Sequence, residues 1–298
     1  MNKNTIKVSV IIPAFNTEES LLVVLRAFEE QTYSKKEFEV IVIDDGSNKS
    51  LLAEYLLETW SFQLTIVRKV NQGRAAARNS GVYLAKGKYI IFCDADRFPN
   101  PSFIESFIKR IDEQDKLVCI GNPVDYFGSK KYYTDRFDWD NIFRFARTSN
   151  YFSNINKIYD SNGETLSEIR WASFLVGNSC ISKAAFYDVG GFDEKFVDWG
   201  FEHYDLGIKL VKKGYRFVCL EDNMSFHIPH QREKGFYMKK FTESQRILEN
   251  NHRELKLDGF FQYIEGKISL QKFEKKYCGK TSEILSEKPE LFVKIVNG

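Results

Sequence analysis

Glu39-Val40-Ile41-Val42-Ile43-Asp44-Asp45-Gly46-Ser47 and Tyr89-Ile90-Ile91-Phe92-Cys93-Asp94-Ala95-Asp96 share one form, a short apolar run that ends in carboxylates. A run of that length without alternation reads as a strand buried on both faces, as in parallel sheets. Ligands of open parallel sheets bind beyond the carboxyl ends of the strands, so two acidic strand ends point to one shared site facing a nucleotide and its metal.

Outward from these strands the first 120 residues alternate strand and helix patterns. Val8 to Ile12 precedes an amphipathic stretch, Leu21 to Phe28, for which Thr17 is a candidate cap and Glu18 and Glu19 suit the positive first turn. After the second strand come a helical pattern over Leu51 to Trp60, a strand over Leu64 to Val67 and a helix from Arg74 to about Lys86. Asn100-Pro101 opens a further helix with Phe103, Ile104, Phe107, Ile108 and Ile111 on one face, and Leu117 to Ile120 is the next strand. This is βαβ order, and it predicts an α/β chain built on a doubly wound, mostly parallel sheet flanked by helices.

From Gly128 to Glu168 the periodicity fades into aromatic and polar residues, the composition of a functional loop or lid. Regularity returns at Trp171 to Ile181, in a helix over Tyr204 to Lys213 and in a strand over Tyr215 to Leu220; beyond Gly235 the chain is lysine-rich and helical in pattern.

Bulk properties exclude several classes. With 43 basic and 41 acidic side chains and a net charge of +2, nothing marks a nucleic-acid binder. The five cysteines are dispersed and never form a CxxC pair, which argues against a disulfide frame or structural zinc and fits a reducing cytoplasm. No run approaches the roughly 18 apolar residues of a membrane span, which leaves peripheral membrane attachment open.

A lone DxD is weak, since about one is expected by chance in a chain of this length. A second, Asp138-Trp139-Asp140, stands in the aromatic stretch without a flanking strand. Asp94-Ala95-Asp96 differs by ending a buried strand, where carboxylate oxygens suit Mg²⁺ or Mn²⁺ bridging a diphosphate. Arg74 and Arg78 lie one turn apart on a helix whose N-terminus offers amides to an anion.

Val8-Ser9-Val10-Ile11-Ile12-Pro13-Ala14-Phe15-Asn16, Asp44-Asp45-Gly46-Ser47, Asn71-Gln72-Gly73 through Ala77-Arg78-Asn79-Ser80-Gly81, and Phe92-Cys93-Asp94-Ala95-Asp96 together resemble the ordered signature of family 2 glycosyltransferases of GT-A fold. The resemblance covers roughly residues 6 to 232. It implies a catalytic domain over 1–232, with a nucleotide-sugar half to about 125 and an acceptor half after it, followed by a helical extension over 233–298. It further implies that Pro13, Ala14 and Phe15 wall the nucleobase pocket, Asp45 reads the base, Arg78 lies near the nucleotide, Asp94 with Ala95 meets the ribose or sugar, and Asp96 ligates the metal. A histidine that completes the metal site in related enzymes corresponds to His227 or His230 of Phe226-His227-Ile228-Pro229-His230.

Asp198-Trp199-Gly200-Phe201-Glu202-His203-Tyr204-Asp205-Leu206 resembles the acidic acceptor-side segment of galactosyltransferase and chondroitin-polymerase-like members. There a carboxylate takes the acceptor proton, and Asp198 and Trp199 fall on the acceptor side. This chain has His203 where an aspartate is usual, so Glu202, His203 and Asp198 all stand as candidate bases; a neutral imidazole is competent near pH 7.

The resemblance implies metal-dependent transfer from a nucleotide-sugar, most commonly a UDP-sugar, with inversion, to a hydroxyl on a glycan, lipid-linked sugar, peptide or small molecule. Retaining transfer and a non-catalytic nucleotide-sugar or glycan-binding module are the competing readings. The C-terminal extension is open to acceptor binding, homodimer formation or contact with anionic lipid, with a solvated helical face as the simplest reading.

Overall fold

The two acid-ending runs flank one central strand. A computed structural model describes residues 5–50, 59–112, 114–198, 200–229 and 236–293, with 236–240 as backbone alone; most of the helix expected over Leu51 to Trp60, together with Trp199 and His230, lies outside the described residues. In chain order come β1 (Val8–Ala14), α1 (Glu18–Glu29), β2 (Phe38–Asp44), β3 (Gln63–Arg68), α2 (Arg74–Leu84) and β4 (Tyr89–Cys93). The four strands are parallel in the order β3-β2-β1-β4, with Ala14 paired to Asp44, so the carboxyl ends of β1, β2 and β4 share one edge.

Burial on both faces explains why these strands are continuously apolar. Val8, Val10 and Ile12 pack with Leu21, Val24, Leu25 and Phe28 of α1, whereas Ile11, Ile41 and Ile43 pack with Ala75, Ala77 and Val82 of α2. Thr17 occupies the N-cap position of α1, but its hydroxyl makes no cap bond.

Beyond β4 the sheet becomes mixed. β5 (Arg97–Pro99), α3 (Phe103–Ile111), β6 (Leu117–Tyr126), α4 (Trp139–Arg144), β7 (Ala146–Thr148), α5 (Asn150–Ile155), β8 (Asn178–Ser182), α6 (Lys183–Asp188), α7 (Glu202–Lys212) and β9 (Arg216–His227) follow. β8 runs antiparallel between β4 and β6, β9 is parallel to β6, and β5 pairs antiparallel with the far end of β9. A wholly parallel series therefore holds only through β4.

Two strands are longer than their apolar runs. β6 and β9 continue past a register shift at Gly121/Asn122, where Glu221-Asp222-Asn223 resemble a turn. The polar residues are retained because their backbone and amide groups pair: Asn122 donates to the Glu221 carbonyl at 3.2 Å, and Asn223 donates to the Phe103 carbonyl at 2.9 Å.

The stretch expected to be a lid is packed. Tyr133, Ile142, Phe152, Ile155, Ile158 and Tyr159 are buried, and Phe98 gathers Tyr126, Tyr133, Phe137, Trp139 and Phe226 around it. Asp138 of the second DxD caps α4, accepting from the Asn141 amide N–H at 3.2 Å and its side-chain amide at 2.8 Å.

After β9, α8 (Phe236–Asn251), α9 (Asp258–Ile264), α10 (Leu270–Cys278) and α11 (Glu283–Ser286) lie against α7 and the segment around Trp171. Leu248, Phe260, Tyr263 and Phe273 share one hydrophobic cluster with Trp171, Phe201 and Tyr204. Among the described residues no helix is long and apolar enough to cross a membrane. Four of the five cysteines are buried and all five are free thiols; burial pushes Cys119 up to about 12.

Candidate active site

The strand-end edge brings most of the expected residues together. Pro13 and Ala14 are buried at the end of β1, while the Phe15 ring beyond them is 47% exposed. The turn after β2 is locked to that after β1: Ser47 donates its amide to Asp44 Oδ1 at 2.8 Å and accepts at Oγ from the Asn16 amide at 2.9 Å. Asp45 turns the other way. Its two oxygens accept from the amides of Gln72 at 3.0 Å and Gly73 at 2.8 Å, so the anion at the approach to α2 is the protein's own carboxylate. Gly73 has φ +90°, and a Cβ there would stand 2.4 Å from the Val197 carbonyl, which seats the loop before α7 on this corner.

α2 carries Arg78 inward and leaves Arg74 exposed. Arg78 donates from Nη1 to Glu202 Oε1 at 2.8 Å and from Nη2 to Asp94 Oδ1 at 2.9 Å, and its side chain is only 1% exposed. Glu202 reaches it because Phe201 adopts φ +66°, an uncommon conformation for a bulky residue, held by stacking on Phe241 with centroids 5.1 Å apart. Burial works against ionisation of Glu202, and the neighbouring His203, Arg78 and Arg74 overcome it, holding the carboxyl well below its ordinary range. Glu202 Oε2 lies 3.7 Å from His203 Nδ1, outside hydrogen-bond reach in this structure. The imidazole of His203 packs on Tyr204 with centroids 4.0 Å apart.

Asp96 sits where β5 meets β9. Its carboxylate is 3.6 Å from His227 Nε2, and His227 Nδ1 is 3.4 Å from Asp125 Oδ1. Register explains the trio, since His227 of β9 pairs with Asp125 of β6 on one side and Arg97 of β5 on the other. Burial opposes both charges, but Asp125 and Asp96 raise the His227 imidazole above its ordinary value, and His227, Arg97 and Arg74 hold Asp96 well below the usual carboxylate range. Among the described residues no group of three or more such side chains converges on a single metal position. Asp96 and His227 instead offer one hard oxygen and one imidazole nitrogen, a donor set that suits Mn²⁺ sharing its remaining positions with phosphate oxygens.

Two residues here escaped the sequence reading. Gly177 precedes β8, and a Cβ there would lie 2.2 Å from Asp94 Oδ2, so only glycine lets that carboxylate occupy its place. A glycine before a polar strand start gives almost no signal. Asp125 is an acid at a strand end, missed because β6 runs beyond its apolar segment. Asp198 lies exposed ahead of α7. Asp205 is committed to the C-terminal helices, accepting from His252 Nε2 at 3.0 Å and Asn251 Nδ2 at 2.9 Å.

A family model described as Glycosyl transferase family 2 matches residues 9–163, and one described as the N-terminal domain of galactosyltransferase matches residues 164–231. The uncharacterized glycosyltransferase YfnE of Bacillus subtilis is 30% identical over 262 residues, covering 75% of this chain and 65% of the relative. A chondroitin synthase of Pasteurella multocida is 28% identical over 76% of this chain, but this chain spans only 25% of that protein. Among solved structures, S. aureus TarS 1-349 in complex with UDP superposes with a TM-score of 0.59 at 18% identity, covering 83% of this chain and 65% of that one. The mannosyltransferase PcManGT from Pyrobaculum calidifontis, in complex with GDP-Man and Mn²⁺, gives 0.56 at 18% identity over 82% of this chain and 66% of that one.

Proposed function

This chain belongs to glycosyl transferase family 2 and carries the GT-A fold, and on that premise we propose that it transfers a sugar from a nucleotide-sugar, a UDP-sugar, to an acceptor hydroxyl with inversion, in glycan or glycoconjugate biosynthesis. The observation that carries this reading is the Asp94–Arg78–Glu202 chain, which joins a carboxylate at the end of β4 to the first residue of α7. Solved neighbours bound to UDP and to GDP-Man with Mn²⁺ support a nucleotide-sugar donor and a divalent cation.

In this reading Pro13, Ala14 and Phe15 wall the base pocket, Asp45 shapes its floor, and Asp94 meets the ribose or sugar. The exposed guanidinium of Arg74, whose charge already acts on Asp96 and Glu202, steers the diphosphate. Asp96 and His227 would hold a Mn²⁺ or Mg²⁺ that lends Lewis-acid stabilisation to the departing diphosphate. The acceptor hydroxyl approaches the start of α7, where Glu202 and His203 are the groups able to take its proton.

The test is to incubate the protein with UDP-sugars and Mn²⁺ and follow release of UDP. Asp96→Ala is expected to lower turnover at least about 100-fold, and unchanged turnover removes Asp96 from the metal site. The anomeric configuration of the product, read by NMR, separates inversion from retention. UDP binding without transfer across a donor panel would identify a binding module, the reading that His203 in place of the usual aspartate favours.

A further inference from the structure

Arg78 is among the largest fully buried side chains described, and burying a guanidinium costs several kcal/mol unless its partners are well placed. Its partners come from segments far apart in the chain. Asp94 stands 16 residues away at the end of β4, and Glu202 stands 124 residues away at the first turn of α7. The ring of Phe192 lies 5.6 Å from the guanidinium carbon and closes a further side, and Nε has no hydrogen-bond partner among the described residues. With both terminal nitrogens committed and the side chain only 1% exposed, Arg78 presents no open face to a phosphate in this arrangement.

We propose that Arg78 is a positioning residue, a strut between the donor-side carboxylate Asp94 and the acceptor-side carboxylate Glu202, which makes Glu202 an orienting group and leaves His203 to receive the acceptor proton. This rests on the transferase reading above. Glu202 Oε1 is tied to Arg78, and the ion pair weakens its affinity for a proton. Its other oxygen has no hydrogen-bond partner among the described residues and faces His203 Nδ1 at 3.7 Å, a separation that tightens readily when substrate fills a site. An imidazole held by a carboxylate at one nitrogen offers the other to substrate, which is how a base is oriented by a third group. The acceptor O–H proton passes to His203 Nε2 as the oxygen bonds to the anomeric carbon. The bond from that carbon to the diphosphate oxygen breaks, and its electron pair leaves with the nucleoside diphosphate.

Calorimetry with UDP, hydrogen exchange and turnover together test this. Arg78→Lys is expected to keep the UDP Kd within about threefold while kcat with acceptor falls at least about 30-fold. Arg78→Gln is expected to lower kcat further and to speed amide exchange at residues 202–206, the lysine variant being the partial rescue. His203→Ala is expected to lose about two to four orders of magnitude in turnover, and Glu202→Gln, whose amide oxygen still accepts from Arg78, about one. A UDP Kd raised tenfold or more in Arg78→Lys at unchanged kcat would overturn the strut and make Arg78 a nucleotide ligand. Loss of activity in Glu202→Gln with activity kept in His203→Ala would make Glu202 the base. Should the wild-type chain turn over no donor, the transferase reading fails by itself, and exchange at residues 202–206 still decides the strut: no change in Arg78→Gln overturns it.

Discussion

Gly177 shows how a site can depend on an atom that is missing. The Asp94 carboxylate fills the space where a Cβ would be, at 2.2 Å. Gly177→Ala is therefore expected to push Asp94 off Arg78 and to cost about 1–3 kcal/mol in stability, with a loss of turnover larger than that destabilisation explains; urea denaturation alongside steady-state kinetics checks both. Glu202 supplies a pH prediction. Its folded-state pKa is depressed below its ordinary value of 4.5, so its contribution to stability is fully present above about pH 4.5 and is lost as pH falls through the lower folded value. The stability gap between wild type and Glu202→Gln is expected to hold from pH 7 to about 5 and to shrink as pH is lowered from about 4.5 toward 2, and a gap that stays constant over that lower range would contradict the depressed value. At this scale the sequence was most informative about carboxylates, because strand-end acids stand out against apolar runs. It was silent about Gly177 and about the commitment of Arg78, since neither steric contact nor ion pairing across 124 residues leaves a local pattern.

Among the elements, α7 and α8 are joined by a buried polar lock. Lys212 Nζ lies 2.8 Å from His252 Nδ1, and because an ammonium only donates, that nitrogen accepts and the proton sits on Nε2, which donates to Asp205 Oδ1 at 3.0 Å. Burial opposes the charge of Asp205, and His252 and Lys209 more than compensate, keeping the carboxyl low. His252→Ala leaves a buried carboxylate short of a donor and is expected to cost roughly 2–4 kcal/mol by chemical denaturation, with His252→Gln intermediate. β6 and β9 outrun their apolar segments for a related reason. An apolar run is a sound guide to a strand only while the partner is apolar, and β6 and β9 continue through a register shift on amide-to-carbonyl bonds. Their extension is what delivers Asp125 and His227 to Asp96.

For the molecule as a whole, the C-terminal helices complete a core. Phe260 and Phe273 are fully buried and lie 4.8 Å and 6.1 Å, centroid to centroid, from Trp171. Each such ring contributes about 1.5–3 kcal/mol by burial, so a chain truncated after residue 232 is expected to lose cooperative unfolding and near-UV circular dichroism; retention of both would show that residues 1–232 fold alone.

Local composition determined the run of β1, β2 and β4, the helices between them and the acids at their ends, because a strand buried on both faces must be apolar and must end where it meets solvent or ligand. Tertiary structure alone decided the antiparallel insertion of β8, the packing of the aromatic stretch as core, the meeting of Asp96 with His227 and Asp125, and the burial of Arg78 between two carboxylates. Those features depend on contacts between segments far apart in the chain, and such contacts are set by packing geometry and charge pairing that no window of neighbouring residues contains.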